Sequence, residues 1–398
     1  MTSVDEESSP ETVQAPSITT PRSLTRSEIG NLTLALLAWA CTVSNVTLVV
    51  GTSGVILIDI GGATNLTSLP LGTFFFGASL VSWCVTPWLF VQWGRQYGFF
   101  LGIALGMVGT VLGMVCIAVQ SPAWLVVAMI FFGMAMGVGF FLRFAAVEVV
   151  PPHWQARAVT LVVSGGVIAA FAGPESAQGM KDAFGKEYMG VFVMTGIFNL
   201  ANALCIGLLS FPQPKQPPPL KEEESNNNNL TEDEESARQL ELQQKQEDRV
   251  AFAALLRSRQ FLVPMLVASL TWAAMSMPMS IVRVVMGQVG YTARQSLTTI
   301  ELHFVGMYAP GFISGSLISQ YGPPWMIVVG IVVFGVAVIF NFVAQDESDQ
   351  EHGLALWILG LFWIGVGWNF CFTSATIWTT ALYKQQPRLQ PQVQAAND

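Results

Sequence analysis

Of the polar side chains inside the long apolar stretches of this 398-residue sequence, five are the first candidates for chemistry. The guanidinium of Arg143 is suited to binding an anion, whereas Glu175 and His303 can gain or lose a proton. Asn45 and Asn369 offer hydrogen bonds to a solute. If the stretches cross a membrane, an ionisable group there costs about 3 kcal/mol on insertion scales. We therefore treat these five residues as a candidate site.

Each of the five also has a purely structural interpretation. Arg143 lies near the end of its stretch, where a long cation can anchor a helix at the membrane surface. Glu175 follows Gly173-Pro174, where we expect a helix break, and can be a solvated carboxylate. His303 can be satisfied inside a helix bundle, and the two asparagines can hydrogen-bond to neighbouring helices. Both interpretations stay open at this point.

A serine nucleophile is a remote alternative. The segment Gly51-Thr52-Ser53-Gly54 matches the Gly-x-Ser-Gly of intramembrane serine proteases, and His303 to Gly306 resembles their histidine helix. Nucleophilic catalysis needs the serine oxygen and the imidazole within hydrogen-bond reach. A four-residue motif arises easily in a sequence rich in Gly, Ser and Thr, so the match carries little weight.

Composition excludes an ordinary soluble fold. Charged residues make up 11% of the chain and hydrophobic residues 52%, whereas soluble domains carry about 25% charged residues. The net charge of −8 argues against a nucleic-acid partner, which would need a clustered basic face. The five cysteines all lie in apolar sequence without a metal-binding or disulfide spacing.

The apolar stretches have the length of membrane-crossing helices. A bilayer core of about 30 Å needs about 20 apolar residues per helix. Ten stretches meet this length, at residues 32–57, 69–90, 99–119, 123–147, 158–178, 188–211, 261–286, 297–319, 325–343 and 354–383. Four glycine pairs lie four residues apart, at 102/106, 109/113, 133/137 and 311/315. This spacing predicts close helix packing in a bundle.

Charge and composition divide the chain into four regions. Residues 1–28 have the composition of a disordered tail, and residues 212–258 that of a flexible linker, with a surface helix expected from about 234 to 256. The linker separates a bundle of six helices at 29–211 from one of four at 259–398. Most Lys and Arg residues fall on the connections on the N-terminal side of the membrane. The N-terminus and the linker are therefore predicted to be cytoplasmic.

An internal repeat supports a duplicated bundle. Trp93-Gly94 follows the second stretch, and Tyr321-Gly322 follows the eighth. Each aromatic-glycine pair comes directly after a predicted span, and Gln92 matches Gln320. The recurrence of this aromatic-glycine motif six spans later predicts two related halves with a pathway between them.

These features together resemble the major facilitator superfamily of transporters. Four segments carry the resemblance, over about residues 29–398 apart from the linker: the turn with Gly94 and Arg95, the segment from Glu148 to Arg157, Gly173-Pro174-Glu175, and the pair His303 to Pro310 with Gly365 to Phe370. Val91 stands where the first motif has an Asp, so the ion pair that the Asp makes is not expected here. The last pair resembles a bacterial-type permease branch.

The resemblance implies an all-α integral membrane protein that moves a small organic solute by alternating access, with proton coupling as one option. Helices one, four, seven and ten would line the pathway. Cytoplasmic gating motifs would include Gly94, Arg95, Glu148, Arg157, Gly315 and Gly322. The family has twelve helices, so we expect the last two to be missing from this chain. No cofactor, metal or catalytic residue is expected, and we expect a monomer in the lipid bilayer.

Two further expectations follow. Glu175, Glu301 and His303 are the groups within the spans that can titrate near neutral pH, and Glu175 is narrowly favoured over His303 as proton carrier. The alternative to a transporter is a transporter-derived membrane protein without transport, acting as a receptor or scaffold.

Overall fold

The computed structural model describes residues 23–62, 64–211, 232–347 and 349–385, together with Leu389 and Val393. The regular structure in these residues is helical. The helices are α1 Arg26–Asp59, α2 Leu69–Cys84, α3 Thr86–Gln92, α4 Gly94–Val119, α5 Pro122–Gly139, α6 Leu142–Glu148, α7 Gln155–Ser164, α8 Gly166–Met180, α9 Met189–Leu208, α10 Glu232–Leu256, α11 Arg259–Val289, α12 Ala293–Tyr308, α13 Gly311–Tyr321, α14 Pro323–Asp346 and α15 Gln350–Gln385.

Eight helical segments of the described chain are long and apolar enough to cross a membrane. They are Arg26–Asp59, Gly94–Val119, Pro122–Glu148, Pro152–Met180, Met189–Leu208, Arg259–Val289, Pro323–Gln345 and Gln350–Leu382. The predicted spans at 69–90 and 297–319 are each divided, into α2 with α3 and α12 with α13. A proline stands at each division, where it removes a backbone donor and disfavours a continuous helix.

Local sequence sets the helix ends. At the start of α1, Thr25 and Glu28 form a capping box, in which Glu28 N donates to Thr25 Oγ1 at 3.3 Å and Thr25 N donates to Glu28 Oε2 at 2.7 Å. Thr292 and Gln295 form the same motif before α12. These caps satisfy backbone donors that the first helical turn leaves open. The surface helix α10 begins within two residues of the position predicted from the linker sequence.

One predicted break is wrong. The sequence of Gly173-Pro174 predicted a break, but α8 continues through Pro174, and the discontinuity lies earlier, at Gly165. The continuous helix is held against α1, where a Cβ on Gly173 would lie 2.0 Å from Thr47 Oγ1 and 2.7 Å from Ser44 O. Close packing therefore explains this glycine, and a local break does not.

Glycines bring neighbouring helices together as their spacing predicted. A Cβ on Gly133 would lie 1.8 Å from Phe74 O, and one on Gly137 would lie 2.6 Å from Ala78 O. The other three pairs also have neighbouring atoms within 3.2 Å of the added Cβ. Real Cβ atoms essentially never approach within 3.0 Å, so the neighbours would have to shift at seven of these eight glycines, and Gly109, at 3.2 Å, is the exception.

The helices before the linker pack around α1, which contacts α5, α8 and α9. Asn31 on α1 exchanges two hydrogen bonds of 3.2 Å with the backbone of Ser210, after α9. This Asn31–Ser210 clamp joins the first and last helices of that group. After the linker, α15 packs against α11, α12 and α14. The two groups meet where α8 contacts α12 and α7 contacts α13.

The bundle has two ends. The end that carries Arg95, Glu148 and Gly322 is called the Arg95 end. The opposite end carries Asp59, Lys181 and Arg294 and is called the Asp59 end.

Leu389 and Val393 are buried in a small hydrophobic cluster with Phe261.

Candidate functional site

The guanidinium of Arg143 lies among aromatic rings between the two groups of helices. It is 4.5 Å from the centre of the Phe144 ring and 4.7 Å from that of Phe372, which belongs to α15. Arg143 Nη1 also donates to Phe140 O at 3.2 Å, and the side chain is 1% exposed. The guanidinium is therefore held in place, and it is too deeply buried to be an anchor at a helix end.

An open cavity with about 700 Å³ of empty space adjoins Arg143. It is lined from both groups of helices, by residues such as Ser82 of α2 and Trp272 of α11. Trp272 stands edge-on to Trp368 at 5.3 Å, and Trp368 stacks on Phe372 at 4.6 Å. One wall of the cavity is thus aromatic and carries a cation, a combination suited to a flat organic molecule with a negative charge.

Asn45 belongs to a second polar cluster, within the helices before the linker. Its Nδ2 donates to Asn199 Oδ1 at 3.2 Å, and Asn202 Nδ2 donates to Thr42 Oγ1 at 3.0 Å. The four residues line an open cavity with about 470 Å³ of empty space. Buried amide atoms of all three asparagines lack a hydrogen-bond partner. Such groups usually bind water or a polar ligand.

Asn199 and Asn202 were not among the residues predicted from the sequence, although a signal was present. Two asparagines three residues apart in an apolar span lie on the same helix face. Such a pair is a stronger sign of a polar site than a single asparagine such as Asn45. Apart from Thr195, the other side chains of α9 are apolar or absent, which makes the pair conspicuous.

His303 and Asn369 join α12 to α15. His303 Nδ1 is 2.7 Å from Leu361 O, and Asn369 Nδ2 donates to Met307 O at 2.7 Å. Both side chains are fully buried, and His303 Nε2 and Asn369 Oδ1 have no hydrogen-bond partner. Neither residue lines the cavity beside Arg143. Their position fits the structural interpretation, in which both residues hydrogen-bond between helices. One polar atom of each side chain, His303 Nε2 and Asn369 Oδ1, makes no hydrogen bond.

Glu175 lies in an ion pair at the Asp59 end. Its Oε1 accepts from Arg294 Nη1 at 2.6 Å, and both side chains are exposed. The pair connects α8 to α12 and therefore joins the two groups of helices. Glu301, which is 3% exposed, interacts with both partners and leaves Oε1 without a hydrogen bond. The three residues form one charged group, the Glu175 group, whose pairing no sequence spacing reveals.

Arg95 and Glu148 form a two-point ion pair at the Arg95 end. Arg95 Nη2 is 2.5 Å from Glu148 Oε1, and Arg95 Nε donates to Glu148 Oε2 at 3.3 Å. Arg95 also lies 4.8 Å from the centre of the Phe90 ring. Both charged residues were singled out in the sequence, but as parts of different motifs. Glu148 thus pairs with Arg95 in the absence of an Asp at position 91.

The other candidate gating residues also lie at this end. Gly94 and Gly322 have φ of 82° and 85°, a region that residues with a side chain rarely adopt, so both aromatic-glycine turns require glycine. A Cβ on Gly315 would lie 2.4 Å from Thr160 Oγ1, which shows how closely α13 approaches α7. Arg157 is exposed and lies 5.3 Å from the centre of the Trp154 ring.

Removing the Arg95–Glu148 pair is expected to destabilise the Arg95 end. Glu148→Gln should lower the free energy of unfolding by about 1–3 kcal/mol, because a partly buried guanidinium loses a charged acceptor. In an Arg95→Gln background the same change should cost much less. Thermal unfolding in detergent of the parent, both single variants and the double variant measures the coupling. Additive effects of the two changes would contradict it. The exposed Lys181–Glu187 pair is the control, with coupling of at most about 1 kcal/mol.

The serine-protease alternative lacks its geometry. The hydrogen bond of the His303 ring is with Leu361 O, and its Nε2 has no partner, so Ser53 does not hydrogen-bond to the imidazole. Among the described residues, no group of three or more His, Cys, Asp and Glu is placed to hold a metal ion.

A family model described as Major Facilitator Superfamily matches residues 30–397. The chain belongs to the Major Facilitator Superfamily. It is accordingly a membrane transporter protein and not an enzyme, and its helices form a multi-pass membrane bundle.

Relatives of this major facilitator protein include transporters from bacteria. It is 24% identical over 375 residues to the "Riboflavin transporter RfnT" of Brucella anthropi, which covers 92% of this chain and 84% of the relative. It is 23% identical over 327 residues to the "Uncharacterized MFS-type transporter YddS" of Bacillus subtilis, over 80% of this chain and 69% of the relative.

Solved structures share the fold. A bacterial homologue of the human lysosomal transporter Spinster, in an inward-facing conformation, has a TM-score of 0.58 and 14% identity over 94% of this chain and 81% of its own. The Escherichia coli fucose:proton symporter FucP has a TM-score of 0.56 and 14% identity over 94% of this chain and 96% of its own. At these identities the likeness concerns the fold alone.

Proposed function

We propose that this protein is a secondary transporter that moves a small, flat, negatively charged organic solute by alternating access. The observation that carries the proposal is the buried guanidinium of Arg143, held between aromatic rings beside a cavity that both groups of helices line. A planar guanidinium binds carboxylate or phosphate at two points, and the aromatic ring of Trp272, which lines the cavity, can pack against a ring of the solute.

The name of one relative narrows the chemistry to test. RfnT is named as a riboflavin transporter, and riboflavin has a flat fused-ring system. The aromatic wall beside Arg143 suits such a ring, whereas a sugar would need more hydrogen-bonding groups than the wall offers. A flat heteroaromatic solute is therefore the first class to examine.

The proposed membrane arrangement has six helices before the linker and four after it. The Arg95 end, the N-terminus and the linker lie in the cytoplasm, because most Lys and Arg residues fall on that side. One chain supplies both walls of the cavity beside Arg143, so a monomer suffices for transport. Alternating access then consists of a rocking of the two groups of helices about that cavity.

The Glu175 group is the proposed place for proton coupling. Glu175 and Arg294 belong to different groups of helices, so rocking changes the distance between their charges. When the pair separates, a carboxylate of Glu175 or of the buried Glu301 loses its cationic partner and binds a proton more readily. His303, whose Nε2 is free but enclosed, is the remaining titratable candidate.

Uptake into proteoliposomes tests both parts of the proposal. The purified protein should accumulate radiolabelled flavin mononucleotide or nicotinate, both of which are anions, when an inward proton gradient is imposed. Accumulation of neutral riboflavin alone would contradict the proposed negative charge of the solute. Glu175→Gln and Glu301→Gln should abolish accumulation but keep exchange of labelled for unlabelled solute, because binding survives without a transferable proton. Asp182→Asn, which changes an exposed carboxylate at the same end, is the matched control and should behave as the parent does.

The outcomes separate the alternatives. Absence of uptake and of exchange for all three solutes would favour a receptor or scaffold that does not transport. Gradient-driven accumulation by both glutamate variants at the rate of the parent would contradict the role of the Glu175 group and leave His303 to test.

A further inference from the structure

A second cavity between the two groups of helices lies at the Asp59 end. It has about 830 Å³ of empty space and is lined by α1, α8, α11 and α12 together with Lys181 and Tyr188. Arg143 does not line it, and it shares no lining residue with the cavity beside Arg143. We call it the Arg283 cavity, after the cation that α11 contributes to its wall.

The charged side chains on the wall of the Arg283 cavity differ in whether their partner is a charged group or a neutral one. The Asp59 carboxylate accepts a hydrogen bond from the Tyr188 hydroxyl. Lys181 Nζ is 2.6 Å from Glu187 Oε1. Arg283 differs from both, because its Nη1 donates to a neutral group, the backbone carbonyl of Gly51, at 2.7 Å.

The guanidinium of Arg283 is turned toward the interior of the protein. Its hydrogen bond to Gly51 crosses from α11 to α1, so the side chain does not extend along the helix to the membrane surface. Nε of Arg283 is buried and has no hydrogen-bond partner among the described residues. A guanidinium presents five N–H donors in a fixed plane, and the hydrogen bond to Gly51 O uses one of them.

We propose that the Arg283 cavity is a second binding site, which takes the carboxylate or phosphate group of a small organic anion. Arg283 supplies the charge, the hydroxyl of Tyr188 occupies the Asp59 carboxylate by donating to it, and the apolar residues of α1 and α12 accommodate the carbon skeleton. The site lies at the end of the bundle opposite to Arg95 and is separate from the cavity beside Arg143.

The order of the two sites follows from the fold. Arg283 bridges α11 and α1 at the Asp59 end, whereas Arg143 lies nearer the Arg95 end. An anion that enters from the Asp59 end meets Arg283 first, so the Arg283 cavity acts as a loading site. This order of use rests on the proposed function, whereas the binding of an anion at Arg283 does not.

Protection of an introduced thiol tests the site without any transport. Thr52 lines the Arg283 cavity, and Thr52→Cys is a small change. The purified variant in detergent is labelled with the neutral reagent methyl methanethiosulfonate, with the unsubstituted protein and its five native cysteines as background. Benzoate or phenyl phosphate should slow labelling about fivefold at about four times the Kd, since the free fraction falls as 1/(1 + [L]/Kd). Benzyl alcohol, a neutral analogue, should not protect.

Substitution of the cation completes the test. Arg283→Gln in the Thr52→Cys background should remove the protection, whereas Arg257→Gln, an exposed arginine at the other end, should leave it intact. Equal protection by benzyl alcohol, or no protection by either anion, would overturn the proposal without any Arg283 variant. Protection that persists in a folded Arg283→Gln variant would overturn it as well. None of these results depends on whether the protein transports a solute.

Discussion

Replacing Arg143 with Gln is expected to lower the initial rate of solute uptake by about 10- to 100-fold. A hydrogen bond to a charged group contributes about 1.5–3 kcal/mol, and about 1.4 kcal/mol corresponds to a factor of ten in affinity. Gln keeps a polar side chain but loses both the charge and the planar fork that lies between Phe144 and Phe372. Uptake of the solute identified in the proteoliposome screen measures the effect.

Arg143→Lys separates charge from geometry. A lysine keeps the charge but lacks two-point binding and stacking on aromatic faces, so uptake should fall to a level between that of the parent and that of Arg143→Gln. Arg257→Gln removes an exposed arginine and should change nothing. The interpretation fails if Arg143→Gln transports at the parental rate, or if its melting temperature falls so far that misfolding explains the loss.

Gly133→Ala is expected to be the most destabilising single change among the helix-packing glycines. The added Cβ would lie 1.8 Å from the carbonyl oxygen of Phe74 and 2.7 Å from its carbonyl carbon, and backbone atoms cannot rotate away. Helices α2 and α5 must therefore separate, and overpacking of this kind costs about 1–3 kcal/mol or more. Thermal unfolding in detergent should show a clear decrease in stability.

Gly335→Ala is the matched control for that substitution. Gly335 lies on an exposed face of α14, and a Cβ there would meet no atom within 4 Å. Alanine has the higher helix propensity by up to about 1 kcal/mol, so the control should keep or raise the stability. Equal loss of stability in both variants would show that alanine at either site acts through the lipid or the unfolded chain rather than through the contact with Phe74.

The helical bundle and its close contacts were readable from the sequence because their signals are local. A run of about 20 apolar residues and a pair of glycines four residues apart can be recognised without knowing which helices pack together. The paired aromatic-glycine turns were visible for the same reason, and Gly94 and Gly322 adopt nearly the same φ.

The pairings in the candidate site were not readable, because they join residues far apart in the chain. Arg294 pairs with Glu175 across 119 positions, and Arg283 reaches Gly51 across 232. The place of Arg143 in its span left open whether it anchors a helix end or lines the pathway, and the packed rings of Phe144 and Phe372 enclose its guanidinium. Burial is a property of the packed bundle, which a list of spans does not contain.

The Asn31–Ser210 clamp bears on how the protein is made. Both partners precede the linker in the chain, so they leave the ribosome before the later helices are complete, and the first group of helices can close upon itself early. Closure encloses the amide groups of Asn45, Asn199 and Asn202 at a stage when they would otherwise face lipid. The later helices then arrive at a surface that already presents Gly51 to Arg283 and Glu175 to Arg294. Folding in the order of synthesis is common for multi-part chains, and here the first group of helices can serve as the template on which the second assembles.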